Sequence, residues 1–183
     1  MKIRVALMLT LAAIPASAAD MVVSEPMLSA DAAIEAARAA LAKCRGDGQN
    51  VSVTVVDASG RAKAMIRDDG AAPHTAEHSL RKAYTALSQR MPSADYGKRA
   101  AEAKGIAIGP QLLPNITTSA GGIPIRVDGK VVGAIGISGT PGSAGGGEHD
   151  ATCAEMGPGV CPCDQKRATR RASASLALTG KVA

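Results

Sequence analysis

The sequence contains no Phe and no Trp, and its aromatic side chains are limited to Tyr84 and Tyr96. This scarcity argues against a pocket of stacked rings and against binding of single-stranded nucleic acid, which uses aromatic platforms. The formal net charge of +5 is modest, and no basic stripe follows a predicted element, so we expect no nucleic-acid partner. The core must consist of small aliphatic side chains, and the 20 glycines allow helices and strands to approach closely.

Long apolar runs are also absent, except near the start of the chain. There, a positively charged beginning is followed by an apolar run over residues 5–14 and by the Ala-Ser-Ala sequence of residues 16–18. This order is typical of a secretory signal peptide, and the run is too short for a membrane span. We therefore predict a signal peptide over residues 1–18, a flexible lead-in over 19–27, and a periplasmic or secreted protein without a membrane span.

Turn residues and changes of hydrophobic period divide the rest of the chain into elements. In order they are a helix, two strands, two helices, three strands and a last helix. This order predicts an α+β domain over residues 28–157, in which helices pack on a five-stranded antiparallel sheet. Residues 158–183 are predicted to form a C-terminal tail. The predicted elements are a helix that Ser29 caps and that ends at Gly46, strands in 51–56 and 62–67, helices in 75–89 and 93–104, strands in 116–120, 123–127 and 131–137, and a helix in 148–156.

Two stripes run along the second predicted helix at helical spacing. The first is mainly apolar and is predicted to pack on the sheet; its members are Ala76, Leu80, Ala83, Tyr84 and Leu87. The second is polar, lies on the opposite face, and is predicted not to be used for packing; its members are His74, His78, Arg81, Lys82 and Thr85. Two histidines one helical turn apart on an unpacked face require an explanation.

Four stretches resemble, in order, motifs of the haem-binding and haem-degrading-like domain family. They are VTVVDASGRAKAMIRDDGA, RKAYTA, SAGGIPIRVDGKVVGAIGISG and EHDATCAEMG. The resemblance runs from about Leu28 to Met156, and the tail beyond Gly157 departs from the family pattern. It implies a profilin-like sandwich around one sheet, assembly into dimers or larger rings, and binding of haem or a similar tetrapyrrole.

Haem binding requires an apolar slot, an iron ligand and cations for the propionates. We predict haem as the cofactor, with His74 or His78 as the iron ligand. The predicted propionate partners are Arg67, Arg81 and Lys82, and the Gly121-Gly122 turn is predicted to let a flat ligand approach. The alternative is that the two histidines are solvated residues of a polar helix face.

The predicted role is that of an exported, homo-oligomeric protein that binds haem and sequesters or delivers it. No nucleophile–base pair, phosphate loop or dinucleotide fingerprint is evident in the sequence. A small-metabolite enzyme, or a ligand-binding module at the same slot, is therefore the second hypothesis.

The chain has four cysteines, and an even number in an oxidising compartment favours disulfides, with three possible pairings. Cys44 is predicted to lie in the core, and a bond from Cys44 or Cys153 to a tail cysteine would tie the tail to the domain. The alternative is a zinc or copper site, as in a metal-buffering protein, in which imidazole and thiolate groups are ligands. Its predicted ligands are His149, Cys153, Cys161 and Cys163.

Overall fold

The computed structural model describes residues 25–103, 110–141 and 147–154. The predicted signal peptide, most of the lead-in and the C-terminal tail with Cys161 and Cys163 lie outside the described residues. In chain order the described elements are α1 (Ala30–Gly46), β1 (Ser52–Asp57), β2 (Ala62–Arg67), α2 (His74–Gln89), α3 (Ser93–Glu102), a 3-10 turn (Pro110–Leu112), β3 (Gly122–Val127), β4 (Lys130–Ser138) and α4 (Glu148–Ala154). None of the described helices is both long and apolar enough to cross a membrane.

The strands form one antiparallel sheet in the order β2-β1-β4-β3. Each outer pair is a hairpin with suitable turn residues. In the first turn, Asp57 Oδ1 accepts a hydrogen bond of 2.9 Å from the Ser59 amide. In the second, Asp128 and Gly129 both have positive φ, as a two-residue hairpin turn requires. The predicted α+β class and the antiparallel sheet are confirmed.

The prediction of a fifth strand over residues 116–120 is wrong, because the described sheet has four strands. The backbone of this segment bonds to helix side chains instead of to a neighbouring strand. The Thr117 amide donates to Thr85 Oγ1 at 3.0 Å, and the Ser119 carbonyl accepts from Ser93 Oγ at 2.8 Å. Hydroxyl groups of α2 and α3 therefore take the place of a strand ladder.

The sheet is covered on both faces. Along β1, Val53 and Val55 belong to the apolar core beneath α1 and α4, whereas Val56 packs in a smaller core beneath α2. Ser52 and Thr54 also point to the α2 face, since their hydroxyls bond to hydroxyls of α2 at 2.8 and 2.7 Å. The α2 face is thus polar beside the first half of that helix and apolar beside the second half.

Small residues bring α1 close to the sheet. Ser29 caps this helix as predicted, since its hydroxyl accepts a hydrogen bond of 3.1 Å from the Ala32 amide. Ile34, a large apolar residue of this helix, is 39% exposed. The buried stripe consists mainly of alanines, whose short side chains fit a narrow interface; its fully buried members are Ala33, Ala37, Ala40 and Cys44.

The predicted assignment of the two α2 stripes is correct only in part, because Ala83 is buried as predicted and Leu80 and Leu87 pack against the smaller core. Ala76, Leu80, Tyr84 and Leu87 are only partly buried, whereas Lys82 and Thr85 of the predicted unpacked stripe are buried. The helix is rotated so that Thr75 and Ser79 meet the hydroxyls of the sheet, while Ala83 and Ala86 pack in the smaller apolar core. The buried residues of α2 are Thr75, Ser79, Lys82, Ala83, Thr85 and Ala86.

A glycine in β4 sets the distance between α2 and the sheet. A methyl group on Gly136 would collide with the Ser79 carbonyl oxygen and would lie 2.5 Å from the Ala83 nitrogen. Both obstacles are backbone atoms, so a substitution would have to displace the helix. Helix α2 therefore crosses this strand closely.

We expect Gly136→Ala to lower the free energy of unfolding by about 1–3 kcal/mol, because overpacking forces backbone shifts. Gly46→Ala is the matched control, since a Cβ at Gly46 meets nothing within 4 Å. That control should leave stability unchanged or raise it by up to about 1 kcal/mol. Urea unfolding measures both, and equal midpoints for the two variants would contradict the assigned role of Gly136.

Candidate functional site

The first half of α2 lies over a polar row that crosses three strands. Arg67 of β2, Ser52 of β1 and Ser138 of β4 are partners in the antiparallel register. The Ser52 hydroxyl lies 2.8 Å from the Thr75 hydroxyl, and the Ser138 hydroxyl lies 3.1 Å from His78 Nδ1. Since cross-strand partners point to the same face, the Arg67 side chain also extends toward the α2 side of the sheet.

His78 is the more enclosed of the two predicted iron ligands. It is half-buried, and its Nε2 lies 3.4 Å from the Thr117 hydroxyl. Burial lowers the pKa of the His78 imidazole, the positive charge of Lys82 adds to this effect, and Asp150 opposes it. A neutral imidazole keeps a lone pair that a metal can use.

The other predicted haem contacts near α2 lie at its surface. His74 is the first residue of the helix and is exposed. Arg81 is partly exposed and forms an ion pair with Glu77, four residues earlier on α2. Arg67 is exposed at the end of the edge strand β2. The structure therefore places both histidines and both arginines on the same side of the sheet.

Lys82 was predicted on the unpacked polar face, and that placement is wrong. Its side chain is 2% exposed and lies between α2 and α4, where Nζ is 2.6 Å from Asp150 Oδ2. The other carboxylate oxygen of Asp150 accepts a hydrogen bond of 3.0 Å from the Thr140 amide. Burial lowers the pKa of the Lys82 ammonium, and the Asp150 carboxylate partly offsets this effect. An enclosed ammonium that is paired in this way is not available to a propionate.

The Gly121-Gly122 turn makes room for the same ion pair. A Cβ on Gly121 would lie 2.8 Å from the Asp150 Cβ and 3.1 Å from the Lys82 Cδ, and one on Gly122 would collide with the Lys82 carbonyl. The Gly122 amide donates to Ser93 Oγ at 2.8 Å. The space next to the turn, predicted for a flat ligand, is therefore filled by protein atoms.

Sequence reasoning missed three polar neighbours of this site, Asp150, Ser138 and Thr117. For Asp150 a signal was present, because it stands in the EHDATCAEMG stretch that carries the family resemblance. Ser138 likewise stands in the SAGGIPIRVDGKVVGAIGISG stretch, whereas Thr117 stands outside all four stretches. Only the antiparallel register and the fold of the 116–120 segment bring them to His78.

Two adjoining cavities lie at the opposite end of α2. Their volumes are about 420 and 320 Å³, and neither is lined by a histidine. The residues that line both cavities are Glu25, Ala58, Arg90 and Val131. His74 and His78 therefore lie outside these two cavities.

The predicted metal ligands on α4 lie against α1. His149 and Cys153 are one turn apart, but Cys153 forms a disulfide with Cys44, with a Cα–Cα distance of 5.6 Å. The expectation of a disulfide is confirmed, and Cys44 lies in the core as predicted. The predicted bond from Cys44 or Cys153 to a tail cysteine is wrong, because the two are bonded to each other. His149 Nε2 lies 3.4 Å from Asp47 Oδ2. Cys161 and Cys163 lie outside the described residues.

The fold, a single antiparallel sheet with helices on both faces, and the motif positions agree with one family of haem-related proteins. The chain matches the family described as "Haem degrading protein HbpS-like" over residues 28–157. The chain therefore belongs to this family.

Individual relatives agree with this assignment. Protein GlcG of Escherichia coli strain K12 is 34% identical over 89 residues, which are 49% of this chain and 64% of GlcG. The chain thus spans somewhat less than two thirds of that relative's length. An uncharacterized 15.0 kDa protein of Citrobacter freundii is 35% identical over 111 residues, 59% of this chain and 77% of that protein.

Solved structures show the same fold. A double mutant of Streptomyces reticuli HbpS is 34% identical and superposes with a TM-score of 0.67, covering 80% of this chain and 94% of the other. The crystal structure of a PduOC–haem complex is 26% identical, with a TM-score of 0.63 and coverage of 72% and 92%.

Removal of one partner of the buried Lys82–Asp150 pair should be costly. We expect Asp150→Ala to lower the free energy of unfolding by about 3–5 kcal/mol, because it leaves a buried ammonium without a counter-charge. The double change Lys82→Met with Asp150→Leu should lose less than the single change. As a control, Glu77→Ala breaks the exposed pair with Arg81 and should cost less than about 1 kcal/mol. Urea unfolding that gave equal losses for Asp150→Ala and Glu77→Ala would contradict the assignment.

The lowered pKa of His78 predicts a pH dependence of stability. Below pH 6.5, the ordinary histidine value, the unfolded chain binds a proton at His78 more readily than the folded chain does. Stability should therefore fall with decreasing pH between that value and the lower folded pKa of His78. Urea midpoints measured across this range should fall less in His78→Gln than in the parent chain. Identical pH profiles would contradict the predicted shift.

Proposed function

We propose that this protein binds haem beside the first half of α2, with His78 or His74 as the iron ligand. The observation that carries the proposal is the state of His78: a half-buried imidazole with a lowered pKa, positioned by Ser138 through Nδ1. Metal-ligating histidines usually have their second ring nitrogen held by a hydrogen bond, which fixes the orientation of the ring.

Membership of the family supports the haem proposal. The family is described as haem degrading, and the PduOC neighbour was crystallised with haem. Haem binding is the part of this description that the side chains favour, since the site offers the half-buried imidazole of His78 and surface guanidinium groups. Arg67 and Arg81, both at the surface on the α2 side, are the cations that would pair with propionates.

A second copy of the chain is proposed to complete the slot. The surface that carries His74 and His78 is exposed to solvent in one chain. Large apolar side chains are exposed on the neighbouring strand β2 and in the segment that leads to Thr117. Met65 is 53% exposed on the edge strand and pairs in register with Thr54, whose side chain points to α2. Leu112 and Leu113 are 76% and 55% exposed just before the Thr117 segment. Apolar residues of this kind from two chains would supply the walls that a haem needs.

The proposed role is sequestration or delivery of haem outside the cytoplasm. The signal-peptide pattern of residues 1–18 supports export to the periplasm or the medium. A carrier needs an iron ligand and a slot that a partner can open, and it needs no catalytic pair.

A hemin titration tests the proposal. The parent chain should give a Soret band at saturation, and the band should shift or weaken in His78→Ala or in His74→Ala, because one axial nitrogen is lost. Arg81→Ala should weaken binding with little change in band position, whereas Arg38→Ala, on the exposed side of α1, should bind like the parent chain.

Two results would overturn this assignment. A Soret band that is unchanged in both histidine variants would remove these residues as ligands. A band that changes only in His149→Ala would place the iron on the other side of the sheet.

A further inference from the structure

We propose that reduction of the Cys44–Cys153 disulfide opens a Zn²⁺ site whose ligands are the two thiolates, His149 and Asp47. This site lies between α1 and α4 and shares no residue with the proposed haem surface. It also differs from the ligand set expected from the sequence. Cys44, in α1, and Asp47, which follows the last residue of α1, take the places of Cys161 and Cys163.

The geometry of the described chain brings the four groups together. One ligand atom from each of Asp47, His149 and Cys153 lies within 4.8 Å of the others. Cys44 Sγ is bonded to Cys153 Sγ, so it lies in the same place. Small movements of side chains would bring four ligand atoms around one ion.

The position of the site also favours ion entry. The cysteines are fully buried, whereas the side chains of His149 and Asp47 are 45% and 35% exposed above them. The imidazole and the carboxylate thus stand between the sulfur atoms and solvent. Lys43 is at present bonded to Asp47 Oδ2 at 3.1 Å, and this exposed ammonium would move away when a cation arrives.

The ligand set is typical of zinc. Zn²⁺ prefers four ligands in a tetrahedral arrangement and accepts thiolate, imidazole and carboxylate groups. Two thiolates and one carboxylate would give the bound ion a net negative environment, which retains a divalent cation. The oxidised disulfide offers no thiolate, so the proposed site exists only in the reduced protein.

The redox step balances with a dithiol as reductant. The S–S bond of Cys44 and Cys153 takes up two electrons and two protons and becomes two thiols. The dithiol loses the same electrons and protons and becomes a disulfide. Zn²⁺ then displaces the two thiol protons, which pass to solvent.

Cobalt is the probe, because Co²⁺ occupies zinc sites and gives visible bands together with a thiolate charge-transfer band. The experiment uses the full haem-free chain carrying Cys161→Ser and Cys163→Ser, so that Cys44 and Cys153 are its only thiols. We expect one Co²⁺ per chain with thiolate bands after reduction with a phosphine under anaerobic conditions, and no such bands before reduction. Added Zn²⁺ should remove the bands and slow alkylation of both cysteines.

Single variants in the same background test the other two ligands. Loss of an outer-shell partner alone typically weakens metal binding by about 10- to 100-fold, so His149→Ala should weaken cobalt binding by at least that factor. Asp47→Asn should weaken it in the same direction. Asp31→Asn, in the first turn of α1 and exposed, should bind like its parent.

Three results would overturn the proposal. They are the absence of thiolate bands in the reduced chain, equal bands in the oxidised chain, and bands that appear only when Cys161 and Cys163 are present. The last result would favour ligands in the tail. Because the assay contains no haem, its outcome is independent of the hemin titration.

Discussion

The buried ion pair between Lys82 and Asp150 is the contact on which the arrangement of the site depends. A charge inside a protein is tolerated only when a partner and further hydrogen bonds replace its water shell. Here Asp150 binds the ammonium with one oxygen and the Thr140 amide with the other. The Gly121 turn lies against both side chains. One charge pair therefore fixes α2, the start of β3, the segment after β4, and α4.

The same pair also acts on His78, whose pKa is lowered mainly by burial. Lys82 lies one helical turn further along α2, and its positive charge adds to burial in lowering the pKa of the imidazole. If the ammonium were removed, Asp150 would be left to favour the protonated ring. A residue buried for structural reasons thus also contributes to the lowered pKa of the half-buried histidine beside it.

Local signals in the sequence predicted most of the fold. The two hairpins follow from turn residues whose chemistry is short-range, such as Asp128 and Gly129, and the first helix follows from the Ser29 cap. The rotation of α2 could not be predicted in this way. Its buried stripe contains hydroxyls because the sheet beneath it contains Ser52 and Thr54, and it contains a lysine because Asp150 of α4 is the partner of Lys82. Hydrophobic periodicity alone treats such a stripe as exposed.

Only the part of the candidate site that lies on one helix could be predicted from the sequence. His74 and His78 share one element, so their proximity follows from helical spacing. The partners of His78, by contrast, are Ser138 and Thr117, which are far away in sequence and are brought near by sheet register and by hydroxyl bonding. The disulfide pairing likewise required the three-dimensional distance between α1 and α4.

The bond between Cys44 and Cys153 spans 109 residues, and it joins the first described helix to the last. It turns the domain into a covalent ring that contains all four described strands. A ring of this size cannot extend fully when it denatures, which in a chain-entropy account favours the folded form by about 4.7 kcal/mol. A single break in any loop within the ring would leave both fragments attached, so the oxidised domain can be cut once and still remain one molecule.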